Sequence, residues 1–395
     1  MVRFEPSVSD MTTALLTPPA PAKPRLVSRA LLLRFVSIVG SSVGFYLPLS
    51  VVPLLASQSG SASSAGLATV ALLVATVVCE LVTPALVSRI GYRWALTLGM
   101  SLLGAPTIVL TFWDSAPAIL AVSVVRGAGF AICVVAGGAV TAMLIPAERR
   151  GEGLALVGIV GGVPGLLALP AGVWVAGHWG FTPVFVVTTV VTLLALLSVP
   201  GLPGKSSAAP TCHGVLAGLR NPSLARPAAI FAASTAAVGV FITFLPLGTP
   251  TWVAAIALLS QPAAATVTRW IAGRLGDRYG TTCLLVPGLV LVGVGMACVA
   301  AIGVPAAVIF GSIVFGAGLG VLQNATLALM YARAPRGGED AVSAIWNAAY
   351  DLGMAAGALG AGLVIAPLDY PTTFLLAAAL ILPALALVRR DRVSA

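Results

Sequence analysis

The sequence predicts an all-α membrane protein: twelve transmembrane helices in two pseudo-symmetric six-helix bundles. Three observations predict it. Of 395 residues, 59% are hydrophobic and only 8% charged, against about 25% charged in a soluble domain, so a water-soluble fold of this composition would have no polar surface. The apolar residues fall into twelve runs, each near the ~20 residues that cross ~30 Å of hydrocarbon. And one offset of 189 positions relates separated parts of the chain: Arg89 to Arg278, Gly91 to Gly280, Gly127-Ala128-Gly129 to Gly316-Ala317-Gly318, and Phe185 to Phe374. A constant shift over separated places indicates an internal duplication.

Residues 1–28 are rich in Pro, Ala, Ser and Thr and predict a flexible cytoplasmic tail. They contain no apolar core region with a small-residue cleavage site, so no part is expected to be removed. The runs follow at about 29–52, 63–87, 94–113, 117–145, 153–177, 181–200, 227–248, 252–275, 281–302, 304–332, 341–366 and 372–388. Lipid offers no partner to a backbone N–H or C=O, so each run is a helix or a barrel strand. Runs of this length without period-2 alternation are helices. Between the sixth and seventh lies the longest internal loop, 201–226, with Pro203, Gly204 and Pro210. It separates an N-terminal bundle (29–200) from a C-terminal one (227–388), and 389–395 form a second tail.

Loop charges set the orientation. Arg89 and Arg93 follow the second run, Arg149 and Arg150 the fourth, and Lys205, Arg220 and Arg226 the sixth. Arg274 and Arg278 follow the eighth, Arg333 and Arg336 the tenth, and Arg389, Arg390 and Arg392 the twelfth. The alternate loops carry no Lys or Arg. This bias puts both termini in the cytoplasm of a protein of the plasma (inner) membrane.

Several function classes are disfavoured. The net charge is +9, but the basic residues are scattered in ones and twos between apolar runs, which suits an anionic leaflet and not a nucleic acid. Cys79, Cys133, Cys212, Cys283 and Cys298 have neither metal-ligand spacing nor a disulfide framework, and only His178 and His213 are histidines. No metal or cofactor is expected; the proton gradient would be the energy source. A membrane-embedded group transferase would need clustered carboxylates or a histidine at a membrane face, and a nucleotide-driven pump a phosphate-cradling loop.

The turn Gly273-Arg274-Leu275-Gly276-Asp277-Arg278-Tyr279-Gly280 matches the pattern G-x-x-x-D-R-x-G through Gly273, Asp277, Arg278 and Gly280. Its first-half copy keeps Arg89, Gly91 and Arg93 but has Pro84 and Ser88 for the leading Gly and the Asp. With twelve helices, a six-plus-six duplication and internal termini, the chain resembles the major facilitator superfamily. Arg126-Gly127-Ala128-Gly129 resembles that family's R-x-x-x-G stretch, with Phe130 in place of the last Gly. Pro48 and Pro53 resemble the proline pair of its twelve-helix drug/proton antiporter branch. The ladder Gly158, Gly161, Gly162, Pro164, Gly165, Pro170 and Gly172 resembles the antiporter motif, with Val163 or Leu169 where a Gly precedes the Pro. The resemblance implies two bundles rocking about a central site and a conformational latch at Asp277, Arg278 and Arg274, reaching toward the region of Gly153. Since Ser88 carries no charge, the two latches are expected to be asymmetric.

Charges inside the membrane are costly and so are candidate functional groups. They are Arg34, Glu80, Arg126, Arg269 and Asp351. Arg34 and Glu80 lie about two turns from the cytoplasmic ends, where they are candidates to pair as a structural bridge. Asp351 lies near mid-bilayer. A carboxylate that alternates between burial and pairing takes up and releases a proton, so Asp351 is the first candidate for proton coupling and Glu80 the second. Arg126 would modulate that site or hold an anionic group. Tyr46, Asn324, Asn347 and Tyr350 are candidate substrate contacts. The glycines Gly316, Gly318, Gly320, Gly353, Gly357 and Gly360 signal close helix packing.

The reading is therefore a monomeric proton-coupled transporter, not an enzyme, that exports small amphipathic compounds. A carrier of a polar metabolite such as a sugar or amino acid is the alternative within the class, and a group transferase the alternative outside it. Asp277→Asn is expected to slow transport without reducing the amount of protein in the membrane; transport at the wild-type rate would remove the latch.

Overall fold

A computed structural model of the chain describes residues 27–59, 62–146, 150–204, 221–334 and 339–393. The N-terminal tail, most of the central loop and the side chain of Asp277 lie outside the described residues. The helices are α1 Arg29–Tyr46, α2 Val51–Ser59, α3 Ala62–Gly104, α4 Ala116–Leu144, α5 Arg150–Trp179, α6 Phe181–Ala195, α7 Pro222–Gly248, α8 Thr251–Tyr279, α9 Leu285–Val299, α10 Pro305–Arg333, α11 Glu339–Leu368, α12 Tyr370–Ala379 and α13 Ile381–Val393.

Among the described residues, eleven segments are long and apolar enough to cross a membrane. The difference from the twelve runs lies at one place. The second and third runs form one helical segment, Ser63–Thr111, of 49 residues, which as a straight helix would be ~74 Å long. It is not straight. Gly91 has φ 78° and ψ 168°, so the chain turns within one residue and leaves no loop to divide the segment. The first run is broken too, at Leu47–Ser50, between α1 and α2.

The duplication is visible in the backbone. The described residues with positive φ are Gly91, Gly180, Gly280 and Asp369: two pairs, each 189 apart. Helices α4 and α10 begin and end at the same offset, as do α5 and α11. Contacts repeat as well. A Cβ on Gly127 would stand 2.1 Å from the Leu72 carbonyl oxygen, and one on Gly316 would stand 2.0 Å from that of Gln261; Leu72 and Gln261 are again 189 apart. Phe185 and Phe374, the matched aromatics, are both fully buried. Of the packing glycines, Gly316 and Gly320 admit α8, Gly318 admits α9, and Gly353 and Gly357 admit α7, while Gly360 faces open space. Such small residues let helix backbones meet where no hydrophobic force drives them together.

Between the halves, α3 packs on α11 and α5 on α8, pairs that the repeat exchanges. Contact is close at one end of the bundle. There the Ser50 hydroxyl donates to the Ile242 carbonyl at 2.9 Å, and the Thr69 and Thr243 hydroxyls are 3.0 Å apart. A Cβ on Gly66 would be 2.5 Å from the Ala358 carbonyl oxygen, and one on Gly177 2.3 Å from Thr251. This is the end whose loops lack Lys and Arg.

At the arginine-bearing end the two signature turns differ. Arg93 Nε donates to the Leu202 carbonyl, and a Cβ on Gly91 would lie 2.4 Å from the Gly204 carbonyl oxygen. The first turn is thus docked on the start of the central loop. Gly280 has φ 86° but open space around it. An L-residue in this region costs about 1–3 kcal/mol. Gly91→Ala should therefore lower the thermal unfolding midpoint in detergent more than Gly280→Ala, because only the former adds a collision with Gly204.

Candidate functional site

The site starts from a defect in α1. Pro48 has no N–H, so the carbonyl of Gly44, four residues earlier, loses its intrahelical donor. Leu49 N–H turns to Tyr46 at 3.2 Å, which leaves the Phe45 carbonyl free as well. In lipid neither carbonyl finds water. Arg126 of α4 supplies both: one Nη donates to Gly44 at 3.1 Å and to Phe45 at 3.4 Å. Arg126 is only 1% exposed, and its Nε has no hydrogen-bond partner. Its charge lies at the carboxyl end of α1, where the helix dipole is negative. That accounts for a buried guanidinium held by carbonyls and not by a carboxylate.

The break aims the next residues inward. Tyr46 packs edge-on to Phe45 at 5.1 Å, and Phe45 stacks on Phe130. On α5, Gly165 makes room for the Tyr46 ring and Gly172 for the Leu47 carbonyl, so two steps of the glycine ladder seat the broken helix.

Tyr46 opens onto a cavity of about 260 Å³ between the halves. Phe45, Tyr46 and Leu49 line it from α1 and its break, Leu73 and Glu80 from α3, and Phe130 and Val134 from α4. Ile242 comes from α7, Gln323 from α10, and Trp346, Asn347, Tyr350, Asp351 and Met354 from α11. Asp351 is 9% exposed. Trp346 is fixed by its indole N–H, which donates to Thr326 at 3.1 Å, and by stacking on Phe231 at 4.5 Å. The cavity widens toward the arginine-bearing end: Asn347 is exposed, and Gly138, one turn beyond Val134 on the same face, meets open space.

Five residues proposed from sequence, Tyr46, Glu80, Asn347, Tyr350 and Asp351, therefore share one wall. Others do not. Arg34 does not join Glu80 there; it donates to Thr141 at 3.0 Å and to Ser37 at 2.8 Å and is 6% exposed. Its guanidinium occupies the space beside Gly137, where a Cβ would be 2.1 Å away. Arg126 lies behind the wall, away from an anionic group in the cavity. Arg269 is exposed on α8, and Asn324 faces Gly273 of α8. Gln323 takes the cavity position instead, since neighbouring helical residues point ~100° apart. Phe45, Phe130 and Gln323 were missed because apolar and amide residues abound in these helices and carry no period to mark the cavity face. Around the signature turn, the Arg274 guanidinium lies 3.8 Å from the Trp270 ring centre and that of Arg278 5.3 Å from Tyr279. Arg89 is exposed, and Gly153 packs on Ile145.

Arg126→Met should strand the two α1 carbonyls and cost about 1–3 kcal/mol of stability. Adding Pro48→Ala restores an N–H for Gly44, so the double variant should recover part of the lost thermal stability in detergent.

A family model described as Major Facilitator Superfamily matches residues 34–251 and 247–394. No curated protein sequence matches the chain. Among solved structures, a single-site mutant of the nucleoside transporter NupG superposes with a TM-score of 0.76 at 13% identity, covering 93% of this chain and 99% of that one. A mutant of the peptide transporter POT gives 0.75 at 15% identity, over 97% and 98%. The human organic anion transporter MFSD10 (TETRAN) gives 0.65 at 16%, over 91% and 99%. At these identities the likeness concerns the fold. The two matched ranges together span nearly all of the sequence, and the chain is a transporter-type member of the major facilitator superfamily.

Proposed function

We propose that this protein is a proton-coupled secondary transporter that moves small amphipathic compounds across the plasma membrane by alternating access. The observation that carries the reading is the pair Asp351 and Glu80 on the wall of a cavity between the two halves. Ionisable groups within the hydrocarbon depth are costly and rarely serve packing alone. In this reading the long segment broken at Gly91 crosses twice, which brings the crossings to twelve. The arginine-bearing loops and both termini lie in the cytoplasm, so the conformation described is inward-facing. Opening to the other side would separate Ser50 from Ile242 and Thr69 from Thr243 while the arginine-bearing ends come together. Asp277, Arg278 and Gly273 would then act as the latch, with the docked turn of Arg89, Gly91 and Arg93 as a counterpart that lacks the carboxylate.

The rings of Phe45, Tyr46, Phe130, Trp346 and Tyr350 suit an apolar body, as in the drug-exporting reading. A second reading, carriage of a polar metabolite, has its own support. Gln323 and Asn347 offer amide hydrogen bonds on the same wall, and the similar folds include proteins described as nucleoside and peptide transporters.

Purified protein in proteoliposomes under an imposed pH gradient, tested with cationic, neutral and anionic compounds, separates these. Proton movement coupled to substrate is expected, with its direction distinguishing exchange from co-transport. Asp351→Asn should reduce gradient-driven uptake to that of protein-free liposomes. Full-rate uptake by this variant would exclude Asp351 as the proton carrier.

A further inference from the structure

A second, much smaller space lies beside Arg126. Its volume is about 10 Å³. Among the residues that line it are Arg126 and Ser123 of α4, Thr69 and Leu72 of α3, and Leu49 and Pro53 around the break between α1 and α2. A space of this size admits one water-sized particle and excludes an oxyanion such as sulfate. Arg126, Ser123 and Thr69 are its three polar lining residues, and they are 1%, 1% and 3% exposed. The Arg126 Nη that serves the two α1 carbonyls leaves Nε with no hydrogen-bond partner among the described residues. An orphaned donor on a charged group is costly in a medium without water.

The guanidinium needs counter-charge as well as an acceptor. The carboxyl end of α1 supplies the equivalent of about half a charge. The carbonyls that Arg126 binds are neutral, and no acidic residue lines the space. A water would satisfy Nε and leave the charge; a halide ion does both, and it accepts from the Ser123 hydroxyl too. We infer that this space is a buried halide site, held by Arg126 and Ser123 and sized for chloride or bromide. Its third polar residue ties it to the closed end of the bundle. The Thr69 hydroxyl is 3.0 Å from that of Thr243 in the other half and 3.3 Å from the Ala65 carbonyl. Leu49 precedes Ser50, which donates to Ile242 across the same junction. Separation of the halves here removes Thr243 and frees Thr69 to donate to the ion. A ligand that gains a contact in one state shifts the population toward it, and opening tightens halide binding by the same factor. This linkage rests on the alternating-access reading above; the site itself does not.

The test uses the full chain in detergent, with the sodium salts of chloride, bromide, sulfate and gluconate compared at one ionic strength. Chloride and bromide should raise the thermal unfolding midpoint saturably; sulfate and gluconate should not. Crystals grown in bromide should show an anomalous-scattering peak within hydrogen-bonding distance of Arg126 Nε and Ser123 Oγ. Ser123→Ala should raise the halide concentration needed for half the effect by about tenfold. No such peak, with equal midpoints in all the salts, means that water fills the space, and overturns the inference whether or not a variant folds.

Thr243→Val leaves every lining residue in place and releases the Thr69 hydroxyl, so chloride should bind it more tightly than the wild type. Unchanged or weaker binding would count against the linkage. Opening is read by spin labels on Ser115→Cys and Val304→Cys, repeat-related positions at the closed ends of α4 and α10, with the native cysteines replaced. Their separation should lengthen in bromide relative to gluconate. Halide binding with no change in that distance sinks the linkage and leaves the site standing. Gradient-driven uptake tests the transporter reading separately, so either can fail without the other.

Discussion

A proline in a lipid-immersed helix leaves a carbonyl with no donor, and the arrangement of this site depends on how that carbonyl is satisfied. Pro48 frees Gly44, and the turn that follows frees Phe45. The donor is Arg126 on α4. One interaction thereby closes the backbone account in a medium without water, pins α1 to α4, and points Phe45 and Tyr46 into the space between the halves. It also gives a buried guanidinium a partner that is not a carboxylate, with the negative end of the α1 dipole in place of a counter-ion.

That choice of partner has an electrostatic result. Arg34 behaves similarly, donating to Ser37 and Thr141 near the carboxyl end of α4. Both arginines lie behind the wall, and among the described residues the cavity lining holds Glu80 and Asp351 and no cation. A paired carboxylate is a structural bridge; an unpaired one at the junction of two moving bodies is free to exchange a proton or a ligand charge. The cavity lies beyond the contacts that close one end, where Ser50 meets Ile242 and Gly66 meets α11. Charge and geometry are thus placed where a change in one bears on the other.

The duplication supplies the frame, and its lapses distinguish the two halves. Backbone features repeat closely: the positive-φ turns, the bounds of α4 and α10, the approach of Gly127 and Gly316 to their neighbours. Such features are held by sterics that tolerate little change. Side-chain chemistry repeats at Phe185 and Phe374 but not at the charged positions of the cavity. Glu80 corresponds to Arg269, which is exposed and takes no part in the cavity. At Asp369 a non-glycine residue stands where the first half has Gly180. Its carboxylate accepts from Thr372 N–H at 2.9 Å, a helix cap that offsets some of the backbone strain.

Composition and periodicity by themselves determined that the chain is a membrane-embedded helical protein, that its two halves are copies, and which few residues carry charge into the hydrocarbon. These follow from the solvent: lipid forbids unpaired backbone and penalises charge wherever either occurs in the chain. Tertiary structure alone decided which charges share a space. Depth along a helix is readable as a residue count, and Asp351 and Glu80, picked out that way, both line the cavity. The direction in which a side chain points depends on the rotation of its helix, and near-uniform apolarity hides that rotation. Arg34 and Glu80 therefore looked like a pair at equal depth, and Asn324 seemed as good a cavity residue as Gln323. The turn at Gly91 was legible as the charged break between the second and third runs; that a single glycine with positive φ makes it, with helix continuing on both sides, was not.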